Sequence, residues 1–171
     1  MKIDEFFSAY NYKPIDYDGA YGFQCMDLYH KYVSLVLPGY PHPSQPGAAW
    51  IWDTYDPKYY DRIVNTPLAI PQKGDILIWG KSAGGGYGHV AVYSSGNLFN
   101  FVSFDQNWPN GSYCHFQGHN YFGGLLGWIR PKQPSTGTTD RQTLQQIRIV
   151  VDSSDGKKNK KVTIKKRRNK L

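Results

Sequence analysis

The sequence predicts an α+β domain in which helices come first and a mostly antiparallel β-sheet follows. Apolar residues recur at helical spacing within residues 4–37, whereas after residue 71 they form short runs that turns separate. Eighteen glycines and eleven prolines supply the many turns that short strands need. Segregation of helices from strands along the chain is typical of the α+β class.

The first part of the chain contains three predicted helices. The first spans residues 4–12, and the second, over residues 24–37, follows a turn-rich segment at 14–23. Because apolar residues lie on both sides of the second helix, we expect it to be buried, and Pro38-Gly39 ends it. A short third helix is predicted over residues 48–53.

The second half of the domain predicts the sheet. Its five predicted strands lie at residues 75–79, 89–93, 98–105, 113–117 and 124–130. A glycine-rich loop at 80–88 precedes the second strand. The turn at 94–97 pairs that strand with the third as an antiparallel hairpin.

The composition changes after Pro131. A Ser-, Thr- and Pro-containing segment predicts a linker at 132–146, followed by a basic tail at 147–171 in which 147–151 have strand character but no hairpin partner. Nine of the 20 Lys and Arg residues lie at 157–171 without any acid, so the formal charge of +7 belongs to the tail. Such a run is either a solvated end or a patch for a polyanion. Because the rest of the chain has no basic helix and no zinc-finger spacing, we expect no nucleic-acid partner.

Composition excludes several other classes of protein. Aromatic residues make up 16% and charged residues 19% of the chain, unlike a disordered sequence. No apolar run approaches the ~20 residues of a membrane span, and the early acids argue against a secretory signal peptide. Two cysteines, Cys25 and Cys114, cannot build a disulfide scaffold. Cys114, His115 and His119 do not predict a metal site, because strand alternation puts the first two on opposite faces.

Cys25 is the first candidate for chemistry. It opens the predicted buried helix directly after a glycine-containing turn. The partial positive charge at a helix N-terminus favours the reactive thiolate over the thiol. The alternative is that Cys25 is a small buried apolar residue, as a lone cysteine usually is.

A base and its orienting group are predicted at two strand ends. His89 opens the second strand next to the glycine-rich loop, although the chain has four other histidines. Asp105-Gln106-Asn107-Trp108 closes the third strand. If these strands pair, a carboxylate or amide of that segment accepts the Nδ1–H of His89 and fixes its tautomer. The alternative is a polar strand end capped by a packed Trp.

Three aspartates precede or begin the helix of Cys25. Asp16, Asp18 and Asp27 lie within twelve residues, and glycine follows Asp18. Carboxylates around such a turn are typical ligands of a hard cation such as calcium. The alternative is an ordinary polar turn.

Three blocks of the sequence together resemble the CHAP domains, the cysteine, histidine-dependent amidohydrolase/peptidases, and in particular those of phage endolysins that act on Gram-positive walls. The blocks are DYDGAYGFQCMDL at 16–28, KGDILIW at 73–79 leading to GHVAV at 88–92, and DQNW at 105–108. Their order and spacing agree with the family over about residues 1–131. The resemblance implies a papain-like α+β fold, with N-terminal helices packed on a twisted sheet, and hydrolysis of an amide bond in peptidoglycan.

The resemblance also implies roles for individual residues. Cys25 would be the nucleophile and His89 the base. Asp105 and Asn107 match the two polar positions of a family motif, with Asp105 orienting His89 and Asn107 assisting. Gln24, together with the backbone amide of Cys25, would stabilise the oxyanion.

Calcium-binding members of the family hold the ion just before the cysteine. Asp16, Asp18 and Asp27 match the carboxylate ligands, and the carbonyl of Ala20 matches a further ligand. This chain has Gly22 where some members have a ligating histidine, which leaves room for a water molecule or a carbonyl. The resemblance therefore implies a structural or activating calcium ion.

The resemblance predicts a hydrolase of Gram-positive peptidoglycan, either an endopeptidase or an N-acetylmuramoyl-L-alanine amidase, that acts in phage lysis or entry. The alternative is a non-catalytic wall-binding or phage-tail structural protein on the same fold. We expect a monomer unless the protein is part of a virion. Its location would be the host cytoplasm until release to the wall, or a virion tail. Its basic tail would bind anionic wall polymers.

Overall fold

Three helices and one six-stranded sheet form the domain over residues 1–132, which the computed structural model describes. The helices are α1 (Ile3–Tyr10), α2 (Cys25–Val36) and α3 (Ile51–Thr54), with 3₁₀ turns at Ala48–Trp50 and Gly84–Gly86. The strands are β1 (Tyr60–Val64), β2 (Ile76–Trp79), β3 (His89–Gly96), β4 (Asn100–Asp105), β5 (His115–Asn120) and β6 (Leu125–Pro131). Their order in the sheet is β1-β6-β2-β3-β4-β5, and all neighbours are antiparallel. The predicted α+β class is confirmed.

One strand, β1, was not predicted from the sequence. It lies at the edge of the sheet and pairs with β6. Tyr60 is its one buried residue, so no alternation of apolar and polar side chains marks it. The strand predicted at 113–117 begins instead at His115. Cys114 precedes that strand because its N–H donates to the carbonyl of Lys13, in the segment after α1.

Alternation along the strands gives the sheet two apolar faces. The face that packs against α1 and α2 is mainly aliphatic and includes Ile76, Ile78, Val90, Val92 and Ile129. The opposite face is mainly aromatic and includes Trp79, Tyr93, Phe101 and Trp128. A side chain on this second face is therefore surrounded by rings rather than by helices.

Strand pairing and one close approach bring the candidate residues together. Because Val92 lies opposite Phe104 in an antiparallel pair, the start of β3 lies beside the end of β4. Gly88 immediately precedes β3 with a φ of +78°. A Cβ at Gly88 would lie 2.5 Å from the carbonyl oxygen of Trp79 and 2.6 Å from the backbone nitrogen of Ala49. Only glycine fits at this position.

The predicted linker at 132–146 and basic tail at 147–171 lie outside the described residues beyond Lys132, as does the strand predicted at 147–151. Binding of wall polymers by the tail therefore stays a prediction. Within residues 1–132, none of the helices combines the length and apolar character that crossing a membrane requires.

Gly88→Ala should lower the free energy of unfolding by about 3 kcal/mol. The change adds left-handed backbone strain of ~1–2 kcal/mol and an overpacking cost of similar size. Gly111→Ala is the matched control, because its φ is +81° but nothing lies within 4 Å of its Cβ position, so strain alone applies. Urea unfolding of both variants measures the difference. Equal losses for the two would contradict the close-approach argument.

Candidate active site

Cys25 is the first residue of α2, and its neighbours fix the start of that helix. The backbone N–H of Gln24 donates to Asp27 Oδ2 at 2.6 Å, which satisfies a donor that the helix itself cannot use. The thiol of Cys25 is half-buried and close enough to the imidazole of His89 to raise the pKa of that ring. The structure thus places the thiol at a helix N-terminus, as the sequence predicted.

His89 and Asp105 form a buried pair where β3 begins and β4 ends. The His89 side chain is 3% exposed, the Asp105 side chain is fully buried, and His89 Nε2 lies 2.6 Å from Asp105 Oδ1. The prediction that Nδ1 of His89 faces the carboxylate is wrong. Nε2 bonds to Asp105, which leaves Nδ1 as the free nitrogen of the ring.

The charges of this pair stabilise each other. Burial by itself would lower the pKa of His89, but its hydrogen bonds to Asp105 and Cys25 outweigh burial and raise that pKa to about 9. Burial would likewise raise the pKa of Asp105, but hydrogen bonds from His119 and His89 hold it below its usual range. At neutral pH a positive imidazole therefore lies between a carboxylate and a sulfur atom.

His119, on β5, is a second imidazole at Asp105. Its Nε2 lies 3.3 Å from Asp105 Oδ2, and the hydroxyl of Ser103 donates to the same oxygen. The sequence pattern predicts no site at His119, nor at Cys114 and His115. The register of β4 against β5 brings His119 to Asp105, and local sequence patterns do not reveal that register.

Asn107 supports Gln24 rather than His89. Its Nδ2 donates to Gln24 Oε1 at 2.8 Å, and its Oδ1 accepts the N–H of Gly111. Gln24 Nε2 in turn donates to the carbonyl of Tyr21 at 2.8 Å. The structure therefore does not place Asn107 on His89, as the family resemblance implied, but on the side chain of Gln24. Asn107 fixes the side-chain amide of Gln24, the residue before Cys25.

Gln106 is a buried residue of the site for which the sequence predicts no individual role. Its Nε2 donates to the carbonyls of Ile15 and Gln24, at 2.8 and 2.7 Å. Its Oε1 accepts the N–H of Ile15 at 2.7 Å and the thiol hydrogen of Cys114. A fully satisfied buried amide thus ties the loop before Cys25 to the end of β4.

The remaining histidines and the second cysteine bond elsewhere. His30 and His42 face each other through their Nδ1 atoms at 3.1 Å, and His115 bonds within its own strand. Cys114 is fully buried, and burial raises the pKa of its thiol to about 12. Of the two cysteines, Cys25 is the one placed beside an imidazole and open to a substrate.

An open groove of about 590 Å³ lies beside the His89–Asp105 pair. Trp79 and Trp108 line it, and their rings also contact the imidazoles of His89 and His119 at centroid distances of 4.7–5.6 Å. The outer part carries the amides of two asparagines and the exposed ring of Phe122. Within residues 1–132, no Asp, Glu, Lys or Arg lines this groove.

Asp16, Asp18 and Asp27 come together in space, with one ligand oxygen from each within 4.8 Å of the others. Asp27 is buried; burial raises the pKa of its carboxyl, and the charge of Asp18 adds to this effect. Asp18 Oδ1 accepts the N–H of Ala20 at 2.8 Å, so the loop turns back over its own carboxylates. An all-oxygen donor set of three clustered carboxylates fits a calcium ion by its chemistry.

The chain matches a known domain family and resembles two curated proteins. A sequence model of the CHAP domain matches residues 14–107. Endolysin PlyTW of Staphylococcus phage Twort is 30% identical over 135 residues, which are 68% of this chain and 26% of that protein. Probable autolysin PH of Staphylococcus aureus is 35% identical over 103 residues, 56% of this chain and 20% of that protein. The chain thus spans a fifth to a quarter of the length of these curated relatives.

A solved structure shares the fold. The crystal structure of the wild-type endolysin LysIME-EF1 superposes with a TM-score of 0.64 at 30% sequence identity, over 79% of this chain and 66% of that one. The family match covers more than half of the chain and contains Cys25, His89 and Asp105. On this basis the protein belongs to the CHAP domain family.

Proposed function

We propose that this protein hydrolyses an amide bond of Gram-positive peptidoglycan with Cys25 as the nucleophile. The observation that carries the proposal is the line of thiol, buried imidazole and buried carboxylate formed by Cys25, His89 and Asp105. Its relatives named endolysin and autolysin support peptidoglycan as the substrate class. The non-catalytic alternative does not account for a buried charged pair aligned on a half-buried thiol.

The proposed reaction has two halves. In the first, the Cys25 thiolate attacks the amide carbon, a C–S bond forms, and negative charge develops on the carbonyl oxygen. The backbone N–H of Cys25 and the free N–H of Gln24 Nε2 stabilise that charge. The C–N bond then breaks, and Nδ1–H of His89 gives its proton to the leaving amine. In the second half, His89 takes a proton from water, the hydroxide oxygen attacks the thioester carbon, and the C–S bond breaks.

Asp105 keeps His89 protonated and fixes the orientation of its ring. Its carboxylate accepts the Nε2–H of the imidazole and offsets the positive charge on the ring. Trp79 and Trp108 exclude water from this pair, which strengthens the interaction. Asn107 holds the Gln24 amide that serves the oxyanion.

We propose that the substrate lies in the groove beside Trp108 and His119. The part of its wall that residues 1–132 form has aromatic rings and amides but no carboxylate or ammonium group, which suits the apolar faces and N-acetyl groups of sugars and an uncharged stretch of peptide. Whether the cut bond joins two amino acids or joins sugar to peptide is the choice between endopeptidase and amidase, and the same Cys25 chemistry serves both. The basic residues at 157–171 are proposed to hold the protein on anionic wall polymers.

We also propose that Asp16, Asp18, Asp27 and the carbonyl of Ala20 hold calcium. The ion would neutralise three carboxylates that otherwise repel one another. Because Asp27 belongs to α2 and also accepts the N–H of Tyr17, the loop that holds the ion is tied to the helix of Cys25. The chain's own residues then keep the helix start, and with it the thiol, in place.

Cys25→Ala should abolish loss of turbidity of Gram-positive cell walls while the thermal melt stays close to that of the native protein, because the half-buried thiol contributes little to packing. Cys114→Ala is the matched control and should keep most of the activity, because its thiol is buried away from the groove. An inactive Cys114→Ala with an active Cys25→Ala would refute the assignment of the nucleophile.

Activity should fall as pH rises through about 9, because His89 then loses the proton that it gives to the leaving amine. Asp105→Asn removes the charge that supports the proton, so the alkaline limb of kcat/KM should move down toward the ordinary histidine pKa of ~6.5. The rate should also drop by about a hundredfold or more. Asp61→Asn, an exposed carboxylate on β1, is the control. A limb that stays in place in Asp105→Asn would contradict this role.

Calcium should raise the melting temperature and the lytic rate, and a chelator should reverse both, because an ion bound only by the folded state stabilises it by mass action. Magnesium should replace calcium poorly, since it prefers a tighter octahedral shell and retains its waters. Asp18→Asn should abolish the calcium response, whereas Asp61→Asn should retain it. Identical melts and rates with chelator and with calcium would show that the three aspartates form only a polar turn.

A further inference from the structure

The carboxylate of Asp105 has more hydrogen-bond donors than orientation of His89 alone requires. Oδ1 accepts from His89 Nε2, whereas Oδ2 accepts from both the Ser103 hydroxyl and His119 Nε2. Asp105 and Ser103 are fully buried and the His119 side chain is 8% exposed. A buried ionised carboxylate is costly unless such donors satisfy it.

We propose that His119 is a positioning residue of the hydrolase: its Nε2–H holds Oδ2 of Asp105 so that Oδ1 points at His89. This inference rests on the proposed function, because it assigns a role within the same reaction. Asp105 can accept but not donate when ionised, so the Nε2 of His119 must carry a hydrogen. Two fixed donors on one oxygen leave the carboxylate a single orientation.

The surroundings of His119 hold its ring in place. It lies opposite Phe101 in the β4–β5 register and stacks on that ring, with centroids 5.4 Å apart and planes at 28°. Trp79 and Trp108 contact it from other sides at 5.1 and 5.6 Å. Trp79 and Trp108 also contact His89, so one aromatic box holds both imidazoles of the carboxylate.

Few other titratable groups face this carboxylate. Cys25 acts on His89 rather than on Asp105, and Cys114 stays uncharged because burial raises its thiol pKa to about 12. His115 lies opposite Asp105 in the register, but its ring nitrogens bond within its own segment. His119 is therefore the second imidazole in reach of Asp105, and it also lines the groove.

Loss of His119 should lower the pKa of His89, because the ring then holds its proton less tightly. Without that donor the carboxylate has only Ser103 on Oδ2 and is free to turn away from the imidazole. A weaker His89–Asp105 hydrogen bond leaves His89 less basic, so it supports less thiolate at Cys25. The effect reaches the thiol through Asp105 and then His89, without any contact between His119 and the reacting atoms.

The test uses the full chain with Cys114→Ala, so that Cys25 is the one thiol to react. The rate of Cys25 alkylation by iodoacetamide is measured against pH, together with kcat and KM on soluble peptidoglycan fragments. His119→Phe should slow alkylation at neutral pH by about tenfold, the equivalent of one pKa unit, and lower kcat more than it raises KM. It should also move the alkaline limb of the kcat profile to lower pH.

His119→Gln should restore both rates to within about threefold of the wild type, because its Nε2–H occupies the place of the imidazole donor. His115→Phe, on the same strand and out of reach of Asp105, is the matched control and should alkylate at the wild-type rate. Equal rates in His119→Phe and the wild type, or equal losses in His119→Phe and His119→Gln, would overturn the proposal. An alkaline limb of the kcat profile that moves to higher pH in His119→Phe would also overturn the proposal. That result would mean that His119 competes with His89 for the charge of Asp105 and does not position it.

Alkylation separates this inference from the proposed function. The reaction needs the thiolate and its imidazole but no peptidoglycan. If the wild type alkylates as expected and His119→Phe slows it, His119 positions Asp105 even where no wall is cut. Thermal melts of each variant confirm that it is folded, and His119→Gln carries the test if His119→Phe is not.

Discussion

The burial of an ionised carboxylate, Asp105, is the constraint on which the rest of the site depends. A buried charge must find donors within the protein, and Asp105 finds them on three strands of the sheet: His89 on β3, Ser103 on β4 and His119 on β5. Each donor has to be in register with the others. The register of these strands, and not the properties of any single residue, therefore sets the charge on His89.

The segment 105–107 connects that charge to the helix of Cys25. Asp105 points into the sheet toward His89, while Gln106 bonds to the loop and to the backbone of Gln24, and Asn107 bonds to the side chain of Gln24. One short stretch of chain thus sets the distance between imidazole and thiol. Polar residues at a strand end are costly when buried, and their full pairing here keeps the site rigid.

One face of the sheet packs against the helices, and the other surrounds the imidazoles of the candidate active site. The aliphatic face packs α1 and α2 and fixes where α2 begins. The aromatic face keeps water from the imidazoles and opens into the groove. The cluster of Asp16, Asp18 and Asp27 lies at the start of the same helix, so the cation proposed there would also hold Cys25 in position.

Local patterns in the sequence were enough for the α+β class, the start of α2 at Cys25 and five of the six strands, because apolar periodicity and turn residues act over a few positions. The candidates Cys25, His89 and Asp105 followed from strand and helix ends in the same way. The sequence alone did not indicate β1, whose exposed residues show no alternation, nor the roles of Gln106 and His119. Only the tertiary structure decided that Nε2 rather than Nδ1 of His89 meets the carboxylate and that Asn107 serves Gln24. These contacts join residues up to 91 positions apart, and strand register and packing, which are global properties of the fold, determine them.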